Sequence, residues 1–103
     1  MRASKNMKTF EDIRNIITSH MDELQSRYRV KTIGVFGSYV RGGQKKRSDV
    51  DVLVEFRRTP DFIEFLCLEE HLSPLLGIKV DLVTKDALKP HIGKRILEEV
   101  VYL

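Results

Sequence analysis

Two apolar, β-branched runs, Val30 to Phe36 and Val50 to Phe56, flank a glycine-bearing stretch, residues 37–49, and aspartates alternate into the second run. Runs of this composition read as strands, and the first stops at Gly37, as a buried strand does when it feeds a tight turn. That turn is Gly37-Ser38, with Gly42-Gly43 shortly after. Along the second run Val50, Val52, Val54 and Phe56 share one face, while Asp49, Asp51, Leu53 and Glu55 share the other. Both early aspartates therefore point the same way. Strands with an apolar face require a sheet, and the sheet requires helices to cover it.

The rest of the chain supplies them. Phe10, Ile13, Ile16, Ile17, Met21, Leu24 and Tyr28 recur at helical steps and predict one helix, with Thr9 as N-cap and Asp12 three residues on. Asp61 caps a second long helix whose stripe includes Phe62, Phe65, Leu66, Leu72, Leu75 and Leu76, which ends at Gly77 and is distorted near its end by Pro74. Ile78 to Val83 is a third strand, with Ile78, Val80 and Leu82 on one face and Lys79, Asp81 and Val83 on the other. Pro90 opens a closing helix with Ile92, Ile96, Leu97, Val100 and Leu103 as its buried stripe. The expected fold is α/β (α+β): a small mixed sheet with helices packed on it.

A chain of 103 residues has room for one core, so a polar tail, residues 1–8, is expected to precede one domain, residues 9–103. Apolar residues at 42% and charged residues at 32% exclude a disordered segment. No apolar run reaches bilayer length, and the tail lacks the apolar stretch of a secretory signal, so the expectation is a cytoplasmic protein without a membrane partner. The net charge of +3 is mild, and direct nucleic-acid binding is not expected. Its one basic cluster, Lys45-Lys46-Arg47, reads equally as a solvated loop or as an attractor of polyphosphate.

Several residues invite a bland reading. Cys67, between Leu66 and Leu68, is expected to pack in the core. His20, His71 and His91 lack the spacing of a zinc site or a catalytic dyad. Tyr39 is expected as a packed ring, with stacking on a base as the alternative. Ser48 is expected to brace its loop, and Lys85 to face water.

Gly37 to Asp51 carries the chemistry. Glycine at 37 lets the backbone approach a ligand and turn sharply, after which N–H groups and the Ser38 hydroxyl can donate to phosphate oxygens. Asp49 and Asp51 set two carboxylates side by side with only a cation to neutralise them, and hard oxygens of this kind suit Mg²⁺ bridging to substrate phosphates. On the pair alone, a solvent-facing edge strand is an equal reading. Gly37-Ser38 upstream and Asp81 downstream tip the balance, although Asp81 could also merely pair with Lys79. If the third strand neighbours the second, Asp81 reaches the same site. Two divalent ions roughly 3.5–4 Å apart can then activate an attacking hydroxyl and stabilise the leaving oxygen.

Gly37-Ser38-x-x-Arg41-Gly42, then Ser48-Asp49-x-Asp51 and a later strand aspartate, resembles the DNA polymerase beta-like nucleotidyltransferase superfamily, and within it the minimal nucleotidyltransferases. The similarity covers roughly Phe10 to Leu103, including the closing segment Lys94 to Tyr102. The resemblance implies that Asp49 and Asp51 hold metal, that Asp81 is the third catalytic carboxylate and metal ligand, and that Gly37, Ser38 and Arg41 bind nucleotide. It further implies Mg²⁺-dependent transfer of a nucleoside monophosphate, AMP from ATP, to a hydroxyl, with pyrophosphate leaving. Some minimal members are antitoxins that adenylylate a tyrosine of a HEPN-type RNase toxin, which makes such a protein the expected partner. The alternative is a non-catalytic module that neutralises its partner by direct contact, as the small size and missing acceptor domain would suit. Self-association stays open.

Overall fold

The computed structural model describes residues 8–43 and 48–103. The predicted first helix is two helices, α1 (Phe10–Ser19) and α2 (Met21–Arg27), broken at His20. The break follows from three consecutive polar side chains that turn back onto the helix. Thr18 donates to the Arg14 carbonyl, Ser19 to that of Asn15, and the His20 ring lies 2.9 Å from that of Ile16. Such back-bonding bends helices. The stripe survives the break, since Ile13, Ile17 and Leu24 are all buried. Thr9 and Asp12 form the expected capping box.

Strand β1 (Val30–Phe36) leads through Gly37 into the short helix α3 (Ser38–Arg41), and β2 (Val50–Phe56) follows. Helix α4 (Phe62–Leu76) begins at Asp61, which caps it in a box with Glu64, and ends on Gly77 in the left-handed conformation. Its buried stripe is Leu68, Leu72 and Leu76. Cys67 lies one position off that stripe and is exposed, so the core packing expected of it is not found. Phe62, also counted in the stripe, is 72% exposed.

Strand β3 (Val80–Thr84) begins two residues later than predicted and pairs with β2 in parallel, with α4 as the crossover. The sheet order is β3-β2-β1-β4, and β1 runs antiparallel to both its neighbours. As an edge strand β3 presents unpaired N–H groups, and α4 takes two of them: Val80 donates to the Ser73 hydroxyl and Leu82 to the Glu69 carboxylate. Val35, Val52, Val54, Val80 and Leu82 pack with Ile13, Ile17, Leu24, Leu68 and Leu72 in one core on the face opposite the aspartates.

Helix α5 (Pro90–Glu99) departs most from expectation. Ile92 and Leu97 are 61% and 44% exposed, and Gly93 is the one buried residue of the helix. Val100 is not helical, and Val101–Tyr102 form a fourth strand, β4, on the free edge of β1. β-branched and aromatic residues favour that state, and β1 has a place for it. A Cβ at Gly34 would come within 2.7 Å of Val100 Cγ2 and 2.9 Å of the Val101 carbonyl oxygen.

Candidate active site

β1 and β2 are held in register so that Phe36 faces Asp51, which brings Asp51 under the turn that ends β1. Gly37 has φ +82° and ψ −151°, a region closed to residues with a side chain. A Cβ on it would lie 2.1 Å from Asp51 Oδ2. Glycine at 37 is thus demanded twice, by the backbone and by the carboxylate pressed against it.

The parallel pairing of β2 and β3 sets Asp51 directly beside Asp81. Paired residues of neighbouring strands project to the same face. Asp81 is therefore where the third-strand reading requires it, and no ion pair joins it to Lys79 among the described residues. Asp49 lies just before β2 and is exposed. The Asp51 carboxyl is pushed above its ordinary value by burial, then by the charges of Asp81, Asp49 and Glu99, which Arg41 offsets in part. Asp81 and Asp49 thus both act on Asp51. The three do not form a ready-built cage, since no group of three or more His, Cys, Asp or Glu among the described residues is arranged to hold a metal ion alone.

The structure adds a residue to which the sequence reading gave no role. Glu99, the last residue of α5, accepts the Gly37 N–H at 2.6 Å and the Arg41 guanidinium at 2.5 Å. Burial pushes its carboxyl up, but the Arg41 and Gly37 hydrogen bonds and the charges of Arg41 and Arg95 outweigh this and hold it below its ordinary value. It is ionised at neutral pH. It lies just before β4, whose long-range pairing with β1 helical periodicity does not reveal. Gly37, Arg41, Asp51 and Glu99 line a depression of 290 Å³ with Phe36, Ile92, Arg95 and Ile96.

The other candidates fall outside this arrangement. Tyr39 is 4% exposed and packs into the core, and its phenol is pushed up by burial and then by the Asp49 charge. Lys85 lies 3.9 Å from Glu55, and His71 packs beside Tyr28 and Glu23. Lys45, Lys46 and Arg47 lie outside the described residues. A groove of 340 Å³ between Phe56, Pro60, Phe65 and Lys85 shares no residue with the aspartate site.

Residues 17–103, which hold this strand, turn and set of aspartates, match a known family, the "Nucleotidyltransferase domain". The chain belongs to this family. It is a nucleotidyltransferase, with the mixed α+β fold of that group. It is 54% identical over 97 residues to the protein adenylyltransferase MntA of Thermococcus cleftensis, covering 94% of this chain and 98% of that protein. A solved minimal nucleotidyltransferase superposes with a TM-score of 0.80 at 30% identity, covering 95% of this chain and 99% of the other. A toxin–antitoxin crystal structure with AMP-PNP shares the fold, with a TM-score of 0.67 at 24% identity over 89% of this chain and 69% of the other.

Proposed function

We propose that this nucleotidyltransferase is a protein adenylyltransferase that moves AMP from ATP, with Mg²⁺, to a tyrosine hydroxyl of a HEPN-type RNase toxin, and so acts as its antitoxin. The observation that carries the chemistry is the in-register pair Asp51 and Asp81 beside a glycine turn that admits Asp51 only because Gly37 lacks a Cβ. What supports the acceptor is the likeness to a protein adenylyltransferase and to a toxin–antitoxin structure.

The donor set suits Mg²⁺, an ion that takes one or two carboxylates and completes its shell with water and substrate phosphates. Burial raises Asp51 first and the charges of Asp81 and Asp49 raise it further, and a cation there would offset that repulsion. Asp49 and Asp51 would hold the ion, which supplies positive charge to the phosphates. The Gly37-Ser38 turn would receive the phosphates with the Ser38 hydroxyl as a donor, because the Gly37 N–H is taken by Glu99, and Arg41 would add positive charge at the rim. Asp81 lies across from Asp51, where it can orient the incoming hydroxyl and take its proton. The hydroxyl oxygen bonds to the α-phosphorus as the bond to pyrophosphate breaks.

Incubation with α-labelled ATP, Mg²⁺ and a HEPN-type partner should move label to the partner, and Asp49→Asn with Asp51→Asn should abolish it. Label transfer by that double variant would defeat the reading. Partner inhibition that persists without nucleotide and after Asp81→Asn would instead favour neutralisation by contact.

A further inference from the structure

We propose that Glu99 is a positioning residue of the nucleotide site: its carboxylate holds the Gly37 peptide and the Arg41 guanidinium in place, so that the phosphate turn keeps its shape and Asp51 stays free for a cation. The proposal rests on the nucleotide-site reading above and adds to it a residue from the far end of the chain.

Gly37 is buried, and its N–H must find an acceptor. Glu99 Oε2 supplies one at 2.6 Å. On the side where a Cβ would stand, Gly37 presents bare backbone to Asp51. The peptide is therefore gripped from one side so that a carboxylate can be received on another. The second oxygen, Oε1, holds Arg41. Arg41 and Asp51 line the same depression. Without Glu99, Asp51 becomes the carboxylate for that arginine to pair with, and an incoming cation would have to displace a guanidinium. One carboxylate thus solves two problems, a buried N–H and an arginine beside a metal ligand. The grip is transmitted by β4: Glu99 immediately precedes Val100, whose side chain lies over Gly34 of β1.

The test uses the whole protein. Binding of Mg²⁺ with a non-hydrolysable ATP analogue is measured by calorimetry for the wild type, Glu99→Gln, Arg41→Gln and the double variant, and exchange of the Gly37 amide is followed without ligand. Glu99→Gln should weaken the analogue about tenfold or more, the scale of a lost charge-assisted hydrogen bond, and should speed Gly37 exchange. Arg41→Gln should cost less affinity in the Glu99→Gln background than in the wild type, because the stray arginine is then gone. Wild-type affinity in Glu99→Gln, or strictly additive effects, overturns the proposal. Should Glu99→Gln not fold, Glu99→Asp keeps the charge but falls one methylene short of spanning both partners. It should lose affinity in the same direction, and wild-type affinity there overturns the proposal equally. A wild type that does not bind the analogue at all would instead sink the nucleotide-site reading, so the two failures are distinguishable.

Discussion

Replacing Gly37 by alanine separates the backbone requirement at the turn from the requirement that Asp51 fit beneath it. The conformation of Gly37 costs a residue with a side chain about 1–3 kcal/mol. The added Cβ would also stand 2.1 Å from Asp51 Oδ2. Relief requires movement on the order of 1 Å, and a misplacement of that size in a catalytic group can lower a rate roughly 100-fold. Gly42 supplies the control. Its φ is +79°, also left-handed, but a Cβ there would meet nothing within 4 Å among the described residues. Gly42→Ala should therefore lose about 1–2 kcal/mol of stability, or about 4–8 °C of melting temperature per kcal/mol, and keep its label transfer. Gly37→Ala should lose at least as much stability and almost all transfer. The assays are thermal melting and transfer of label from α-labelled ATP to the partner. Gly37→Ala with wild-type transfer, or an equal loss of transfer in both variants, would refute the assignment of Asp51 to the reacting centre.

Asp51→Asn should raise the melting temperature of metal-free protein at neutral pH. The folded carboxyl lies above its ordinary value of 3.8, so its stabilising contribution is present below that value and is lost as pH rises through the raised one. Ionised Asp51 then opposes folding at pH 7, and the difference between variant and wild type should close as the pH falls to about 4; a variant that melts below wild type at pH 7 would contradict this. Gly34→Ala should push Val100 and Val101 off β1 and, by moving Glu99, lower nucleotide affinity along with stability, which calorimetry and melting would register together. Thr9→Ala removes one half of a capping box remote from the aspartates, so it should cost about 1 kcal/mol in melting experiments while label transfer stays unchanged.

The strands and the placement of the candidate aspartates on them were legible because alternation is a local signal. Val50, Val52 and Val54 against Asp51 and Glu55 declare two faces without knowledge of any neighbour. The caps of α1 and α4 were legible for the same reason, since Thr9 with Asp12, Asp61 at one end of α4 and Gly77 at the other each act within a few residues. The errors lie where periodicity carried across a local competitor. The stripe from Phe10 to Tyr28 is continuous, but Thr18, Ser19 and His20 turn onto the carbonyls of the preceding turn and break the helix beneath it. Cys67 sits among apolar neighbours, yet one position of rotation puts it in solvent. The closing segment fails for a different reason. Val100 to Leu103 fits a helical stripe as well as a strand, and only the bare edge of β1 at Gly34 decides for the strand.

That last choice bears on the chemistry. If α5 continued through Leu103, as the stripe suggested, no β4 would draw the chain back along β1, and nothing would fix Glu99 against the Gly37 peptide. Strand β1 therefore does two things, one on each edge. Through Phe36 and Asp51 it sets the aspartates under the glycine turn, and through Gly34 and Val35 it takes the strand that carries Glu99 to the turn's other side. Gly34 and Gly37 serve one arrangement: the first admits a neighbouring backbone, the second a neighbouring carboxylate. The glycine-serine motif and the closing segment are distant in the chain, yet Glu99 joins them by accepting from both Gly37 and Arg41.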